Sequence, residues 1–275
     1  MDRIQKALEK AKALHQIKPG DSQQAEFEST QENISEINTN LSDISYKNTK
    51  VIKVSENALA SNGIIASQYS NTQSGVFRML RTQVLQKMRE NNLQTIAVSS
   101  PTAGEGKSLI ASNLAVAMAM ETNQTVLLVD LDLRNPCLSN YFNLDVTIGL
   151  KDYLETDIKL SEILVNPGIK GLVILPGKGR AEDSAELLSG AKMKNLVSDL
   201  KAKYDSRLII FDMPPVLQTD DVLLASNYIE STLMVIEDGK NKEAEIIKSL
   251  QLLKDTQLIG SVLNKSEKPP MHQSY

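Results

Sequence analysis

The feature that most constrains this chain is the run Ser99-Ser100-Pro101-Thr102-Ala103-Gly104-Glu105-Gly106-Lys107-Ser108. The apolar stretch before it, Thr95-Ile96-Ala97-Val98, has the length and content of a buried strand. After it, from Leu109 to Glu121, Ile110, Leu114, Ala117 and Met118 recur at helical spacing. Strand, glycine loop, Lys-Ser and helix is the context in which a phosphate-binding loop works. Gly104 and Gly106 can take backbone angles closed to other residues, so successive N–H groups can turn around phosphate oxygens. The helix start adds the positive end of its dipole. In such a loop Lys107 reaches the β- and γ-phosphates, and the Ser108 hydroxyl sits on Mg²⁺. The strict pattern has a glycine five residues before Gly106, where this chain has Pro101. An ordinary glycine turn therefore stays open on the loop alone, and residues downstream decide.

Strand signals at 125–129, 172–175, 208–211, 232–236 and 258–263 alternate with helix signals at 76–88, 184–203, 221–226 and 242–254. Apolar strands alternating with helices predict an α/β fold, a doubly wound, mostly parallel sheet covered on both faces. Ligands of such sheets bind beyond the carboxyl ends of the strands. Two predicted strands end in carboxylates there: one in Asp130-Leu131-Asp132-Leu133-Arg134, the other in Asp212-Met213-Pro214-Pro215. Mg²⁺ is a hard cation held by one or two carboxylates plus substrate phosphates. Asp212 fits the metal carboxylate at the end of a buried strand, and Asp130 or Asp132 can add a contact or orient the nucleophile. Any one of them could be a capping residue; three at strand ends together with Lys107-Ser108 favour the nucleotide–metal site.

At 275 residues the length suits one domain of roughly 200 residues plus an extension. The net charge of −4 gives no electrostatic case for nucleic acid as a partner. The single cysteine, Cys137, excludes an internal disulfide and reads as a structural thiol, while His15 and His272 are isolated. The start has no apolar signal core, and no stretch of about 18 apolar residues occurs, so a cytoplasmic location is expected. Residues 2–15 place Ile4, Leu8, Ala11 and Leu14 on one side of a short amphipathic helix. Residues 16–50, rich in Ser, Gln, Asn, Glu and Thr, read as a disordered linker. The expected organisation is thus a polar extension over 1–50, a nucleotide-binding domain over 51–265 and a flexible tail over 266–275. In the 76–88 helix Phe77, Leu80, Val84 and Leu85 share a face, leaving Arg78, Arg81 and Lys87 on a solvated basic side.

Taken together, Asp130-x-Asp132-x-Arg134-Asn135-Pro136, Asp212-x-Pro214-Pro215, the stretch 183–215, Phe77-Arg78-Met79-Leu80-Arg81-Thr82 and Gly260-Ser261-Val262-Leu263-Asn264-Lys265 resemble the bacterial tyrosine kinases (BY-kinases) of capsular and exopolysaccharide assembly. The resemblance covers roughly residues 74–265. It implies a P-loop NTPase fold related to the partitioning and septum-positioning ATPases, turned to phosphorylating tyrosine. It also implies ATP or ADP with Mg²⁺ bound over Ala103, Gly104, Glu105, Gly106, Lys107, Ser108 and Leu109, with Asn264 where relatives contact adenine. Lys107, Asp130, Asp132 and Asp212 become the catalytic set, and Ser108, Asp130 and Asp212 the metal set. The family pattern further implies self-assembly through the helix carrying Arg78 and Arg81, autophosphorylation of a tail tyrosine, and a membrane polysaccharide co-polymerase or export protein as partner, which would recruit the chain to the inner face of the membrane. Three departures stand out. The tail after Asn264 holds only Tyr275, Gly75 replaces the glutamate of the self-assembly pattern, and Ala103 replaces a proline. Two further readings follow: a nonkinase ATP-binding regulator of the same machinery, and a positioning ATPase. The second of these has Thr102 against it, where positioning ATPases carry a second lysine.

Overall fold

The computed structural model describes residues 49–68, 71, 73–121, 124–202 and 207–267. The expected N-terminal helix, nearly all of the linker, Tyr46, Tyr69 and the tail with Tyr275 lie outside the described residues. The strands are β1 (Lys50–Val51), β2 (Thr95–Ser99), β3 (Thr125–Asp130), β4 (Val165–Asn166), β5 (Leu172–Leu175), β6 (Arg207–Asp212), β7 (Ser231–Glu237) and β8 (Gln257–Asn264). The helices used below are α1 (Glu56–Ser61), α2 (Ser74–Glu90), α3 (Lys107–Ala119), α4 (Leu138–Tyr141), α5 (Leu150–Glu155), α6 (Leu160–Ile163), α7 (Ser184–Ser189), α8 (Ala191–Ala202), α9 (Asp221–Ser226) and α10 (Glu243–Leu252).

The strands form one sheet in the order β1-β4-β5-β3-β6-β2-β7-β8. All neighbours are parallel except β4 and β5. Alternation within each central strand feeds two cores. Leu127, Val129, Ile209 and Phe211 face the core under α5, α7, α8, α9 and α10. Val126, Leu128, Ile96, Val98 and Ile210 face the core under α2 and α3. A side-chain period of two with both faces covered explains why the strands are almost uninterruptedly apolar. The doubly wound, mostly parallel sheet is as expected from the sequence.

Three details differ from the sequence reading. The helix expected over 184–203 is two helices, because Gly190 takes an extended conformation (φ −66°, ψ 152°) between α7 and α8. The helix after the glycine loop already begins at Lys107. Arg81 is not on a solvated face: its side chain is 18% exposed, donates to the Ala117 carbonyl (3.3 Å) and pairs with Glu121 (3.0 Å). Close approach of α2 to α3 draws it inward. Arg78 is half-buried and donates to the Ser74 hydroxyl at 2.7 Å.

Helix α3 is buried on nearly every side, which an apolar sequence without a polar stripe permits. Its one fully buried amide, Asn113, is satisfied. The Asn113 oxygen accepts from Ile65 and Ala66 N–H (2.9 and 3.1 Å), and its NH₂ donates to the Gly63 and Leu109 carbonyls (2.9 and 3.0 Å). Residues 63–66 are thereby strapped over the helix that starts at the glycine loop.

At the amino ends of the strands, Glu230 ties β2 in place. Its carboxylate accepts from the N–H groups of Gln94 (2.7 Å) and Thr95 (2.9 Å) and pairs with Lys201 at 2.5 Å. Burial would raise its pKa, but Lys201 and the two N–H groups outweigh that and lower it. A carboxylate with a lowered folded pKa stabilises above its unfolded value and loses that contribution as pH falls through the folded one. Glu230→Gln is therefore expected to cost on the order of 1–2 kcal/mol at pH 7 and to flatten the fall in stability below about pH 4.5. Urea melts at pH 7 and pH 3.5 check both; equal losses at the two pH values would remove the charge from the account.

Candidate functional site

The site lies where the topology reverses. The chain leaves β2 through the glycine loop and α3 and returns as β3, two strand positions away, and β6 later fills the gap. Crevices at such reversals, beyond the carboxyl ends of parallel strands, are where ligands bind. Register then brings the carboxylates together: Asp130 of β3 is the cross-strand partner of Asp212 of β6, which in turn pairs with Val98 of β2.

The loop is held at its front by the segment after β6. Val216 N–H donates to the Ser100 carbonyl (2.8 Å), Leu217 N–H to the Pro101 carbonyl (3.1 Å), and the Ser99 hydroxyl to the Pro214 carbonyl (2.6 Å). The Pro-Pro pair thus follows Asp212 as part of the loop's foundation. Gly104 (φ 81°) and Gly106 (φ 93°) occupy the left-handed region, as expected. A Cβ on Gly106 would stand 2.2 Å from the Asn264 amide nitrogen. Glu105, which the sequence marks only as a loop position, is fully buried. Its Oε1 accepts from the Thr102 N–H (2.7 Å), the Thr102 hydroxyl (2.5 Å) and the Asn241 amide (2.8 Å).

Lys107 lies at the floor. Its ammonium is 2.9 Å from Asp132 Oδ2, 3.1 Å from Ser108 Oγ and 3.6 Å from Asp212 Oδ1. Burial alone would depress its pKa, but the charges of Asp212 and Asp132 outweigh that and raise it, so the group stays an ammonium. Asp130 is fully buried; its Oδ2 accepts from Cys137 and Leu138 N–H at 2.9 and 3.0 Å, capping the start of α4. Burial and the neighbouring Asp212 push its carboxyl up to about 7. Burial likewise raises Asp212 against the pull of Lys107. The Cys137 thiol lies 3.8 Å from Asp212, and burial beside these carboxylates pushes it up to about 12.

Lys107, Ser108, Asp132 and Cys137 open into a cleft of about 640 Å³. One wall carries Ala103, Gly104, Gly106, Lys107, Ser108, Leu109, Asn264 and Lys265; the other carries Asp132, Arg134, Asn135, Pro214, Pro215 and Gln218. Asp130, Asp212 and Glu105 do not line it; Asp212 lies fully buried beneath, reached through Lys107. Arg134 is anchored at the rim by fully buried Asp221 (Nε–Oδ2 3.2 Å), whose two oxygens also accept from Ser184 Oγ at 3.0 and 2.9 Å. In the sequence Arg134 stands inside the Asp130–Pro136 motif and Ser184 inside the stretch 183–215, neither marked as a site residue. Asp221, 87 residues from Arg134, shows in the sequence only as the start of a helix, with nothing to link it to Arg134.

The donor set suits a magnesium ion. Asp130 Oδ1 and Asp212 Oδ1 are buried oxygens without a hydrogen-bond partner among the described residues, and the Ser108 hydroxyl lies beside Lys107. Hard oxygen donors left unsatisfied next to a phosphate loop are what Mg²⁺ with a polyphosphate would complete.

Residues 93–263 match the AAA domain family. The tyrosine-protein kinase YwqD of Bacillus subtilis (strain 168) is 31% identical over 216 residues, 78% of this chain and 90% of that protein. The kinase domain of the Escherichia coli tyrosine kinase ETK superposes with a TM-score of 0.69 at 25% identity, covering 82% of this chain and 93% of that one. The septum site-determining protein MinD of Pyrococcus horikoshii OT3, solved as a complex with Mg-ADP, gives a TM-score of 0.53 at 27% identity over 64% of this chain and 74% of its own. Sequence match and superposition agree: the chain belongs to the bacterial tyrosine kinases of capsule and exopolysaccharide loci, built on the P-loop ATPase fold.

Proposed function

We propose that this chain transfers the γ-phosphoryl group of ATP to a tyrosine hydroxyl and thereby regulates exopolysaccharide or capsule polymerisation and export. The observation that supports it most is the convergence of an ammonium, a hydroxyl and the Asp132 carboxylate at one cleft, with the Asp212 carboxylate buried directly behind the ammonium, beside a left-handed glycine loop. The N–H groups of the loop and of the first turn of α3 bind the β-phosphate. Lys107, now shared between Asp132 and Asp212, turns to the β- and γ-phosphates. Ser108, Asp130 and Asp212 would hold Mg²⁺, which when bound neutralises phosphate charge and fixes the γ-phosphoryl for in-line displacement. Asp132, released by Lys107 and lining the cleft, accepts the tyrosine proton. The phenolic oxygen bonds to the γ-phosphorus as the bond to the β-bridging oxygen breaks, leaving ADP. A phenol with a pKa near 10 gains from such a base.

The acceptor in this reading is Tyr275. Tyr153 is a poor alternative, half-buried with Lys192 4.9 Å above its ring centroid. Self-assembly would use α2, where Val76 and Met79 are about half exposed beside Arg78. Arg81 is already engaged within the subunit. Among the described residues no helix is long and apolar enough to cross a membrane; in this reading a membrane polysaccharide co-polymerase or export protein recruits the chain.

Incubation with ATP–Mg²⁺ and mass spectrometry tests the proposal. Phosphate on Tyr275, absent in Asp212→Asn, is expected. Phosphate on Tyr46 or Tyr69 would move the acceptor and keep the kinase. ATP bound with no phosphotyrosine would leave the nonkinase regulator, which Gly75 and the single tail tyrosine favour.

A further inference from the structure

Three successive carbonyls of the phosphate loop are each taken by a side chain from one place, the carboxyl ends of β7 and β8. Lys240 Nζ donates to the Ala103 carbonyl at 2.5 Å, Lys265 Nζ to the Gly104 carbonyl at 2.7 Å, and Asn264 Nδ2 to the Glu105 carbonyl at 2.7 Å. The two ammonium groups are joined by Glu237, whose Oε2 lies 3.5 Å from Lys240 and 3.0 Å from Lys265. Lys265 reaches back to the loop by a left-handed turn (φ 56°) directly after β8.

A trans peptide unit is planar, with the carbonyl of one residue and the N–H of the next pointing in opposite directions. No peptide bond here is cis. Capture of the carbonyls of residues 103, 104 and 105 therefore fixes the N–H groups of Gly104, Glu105 and Gly106 pointing the opposite way. None of those three N–H groups donates to another group among the described residues. Left alone, two left-handed glycines flanking a single residue form a loop with many competing peptide orientations, because glycine restricts neither. The geometry points to Lys240, Lys265 and Asn264, with Glu237 bracing the lysines, as positioning residues that pre-set the anion-binding N–H groups of the phosphate loop. They act through the backbone, by holding its carbonyls, although Asn264 and Lys265 also line the cleft. Asn264 has this task whether or not it also meets adenine.

The inference rests on the nucleotide-site reading but not on tyrosine phosphorylation. Its test is calorimetric binding of pyrophosphate–Mg²⁺ and of ADP–Mg²⁺ to the full chain, wild type against Lys240→Met/Lys265→Met, at 0.05 and 0.5 M salt. Loss of two charge-assisted bonds is expected to weaken both ligands about 10-fold or more. A positioning effect keeps that ratio in high salt, whereas simple attraction between ammonium and phosphate is screened away. Lys240→Arg/Lys265→Arg, which restores donors to the carbonyls, should recover most of the affinity. Lysine-to-methionine binding equal to wild type, or a loss that vanishes at 0.5 M salt, overturns the inference. Failure of the wild-type chain to bind either ligand would instead overturn the nucleotide site and this inference with it. Unchanged thermal melting of the apo variant separates positioning from a fold defect; a methionine pair that unfolds is replaced by Glu237→Gln, expected to weaken both ligands in the same sense.

Discussion

Lys107→Ala lowers the affinity for ADP–Mg²⁺ at least ~10-fold and removes tyrosine phosphorylation: this is the largest effect expected of any single substitution. Opposite unit charges about 4 Å apart interact by about 4 kcal/mol at an effective dielectric near 20. Polyphosphate brings more than one charge, yet Lys107 must first give up Asp132 at 2.9 Å and Asp212 at 3.6 Å. The difference, a few kcal/mol at most, sets the ground-state loss at one to two orders of magnitude. The loss in rate is larger, because charge gathers on the bridging oxygen only in transfer and no other described cation stands on the floor of the cleft. Truncation also leaves Asp132 and Asp212 facing each other without their cation. Calorimetry of the variant at pH 7 is the check; affinity equal to wild type would take Lys107 out of the phosphate site.

Gly106→Ala should be nearly as damaging, by a different route. The φ of 93° costs an alanine about 1–2 kcal/mol. Its Cβ would also stand 2.2 Å from the Asn264 amide nitrogen. Asn264 can swing aside, but only by giving up its 2.7 Å bond to the Glu105 carbonyl. Gly104→Ala meets nothing closer than the Lys240 ammonium at 3.6 Å and bears the backbone strain alone. Nucleotide binding is therefore expected to fall by more than ~10-fold in Gly106→Ala and by clearly less in Gly104→Ala. Equal losses would mean that the clash with Asn264 does not matter.

The central parallel strands were legible because both their faces are buried, which makes them continuous apolar runs. The two-residue strands β1 and β4 are too short for any periodicity and were not seen. The aspartates were legible by position, each closing an apolar run. Their alignment was not, since it depends on β6 entering between β2 and β3, a pairing of segments some 80–110 residues apart in sequence. Arg81 looked solvated because helical spacing says nothing of the neighbour that packs on its flank. Lys240 and Lys265 look like any surface lysines; only the fold brings them to carbonyls 137 and 161 residues away.

The pairing of Asp130 with Asp212 across adjacent parallel strands has a mechanical consequence. The gap between their backbones is the spacing of hydrogen-bonded strands, about 4.8 Å, so the sheet itself acts as the ruler for this half of the site. Loop substitutions can retune the phosphate side, but no loop can widen or narrow the carboxylate pair. A one-residue slip of β6 would turn Asp212 to the opposite face, and Phe211 and Ile210, both fully buried on opposite faces, forbid it. The carboxylate pair should therefore survive heating until the central strands part, so that loss of metal affinity and loss of the sheet's circular-dichroism signal coincide in temperature.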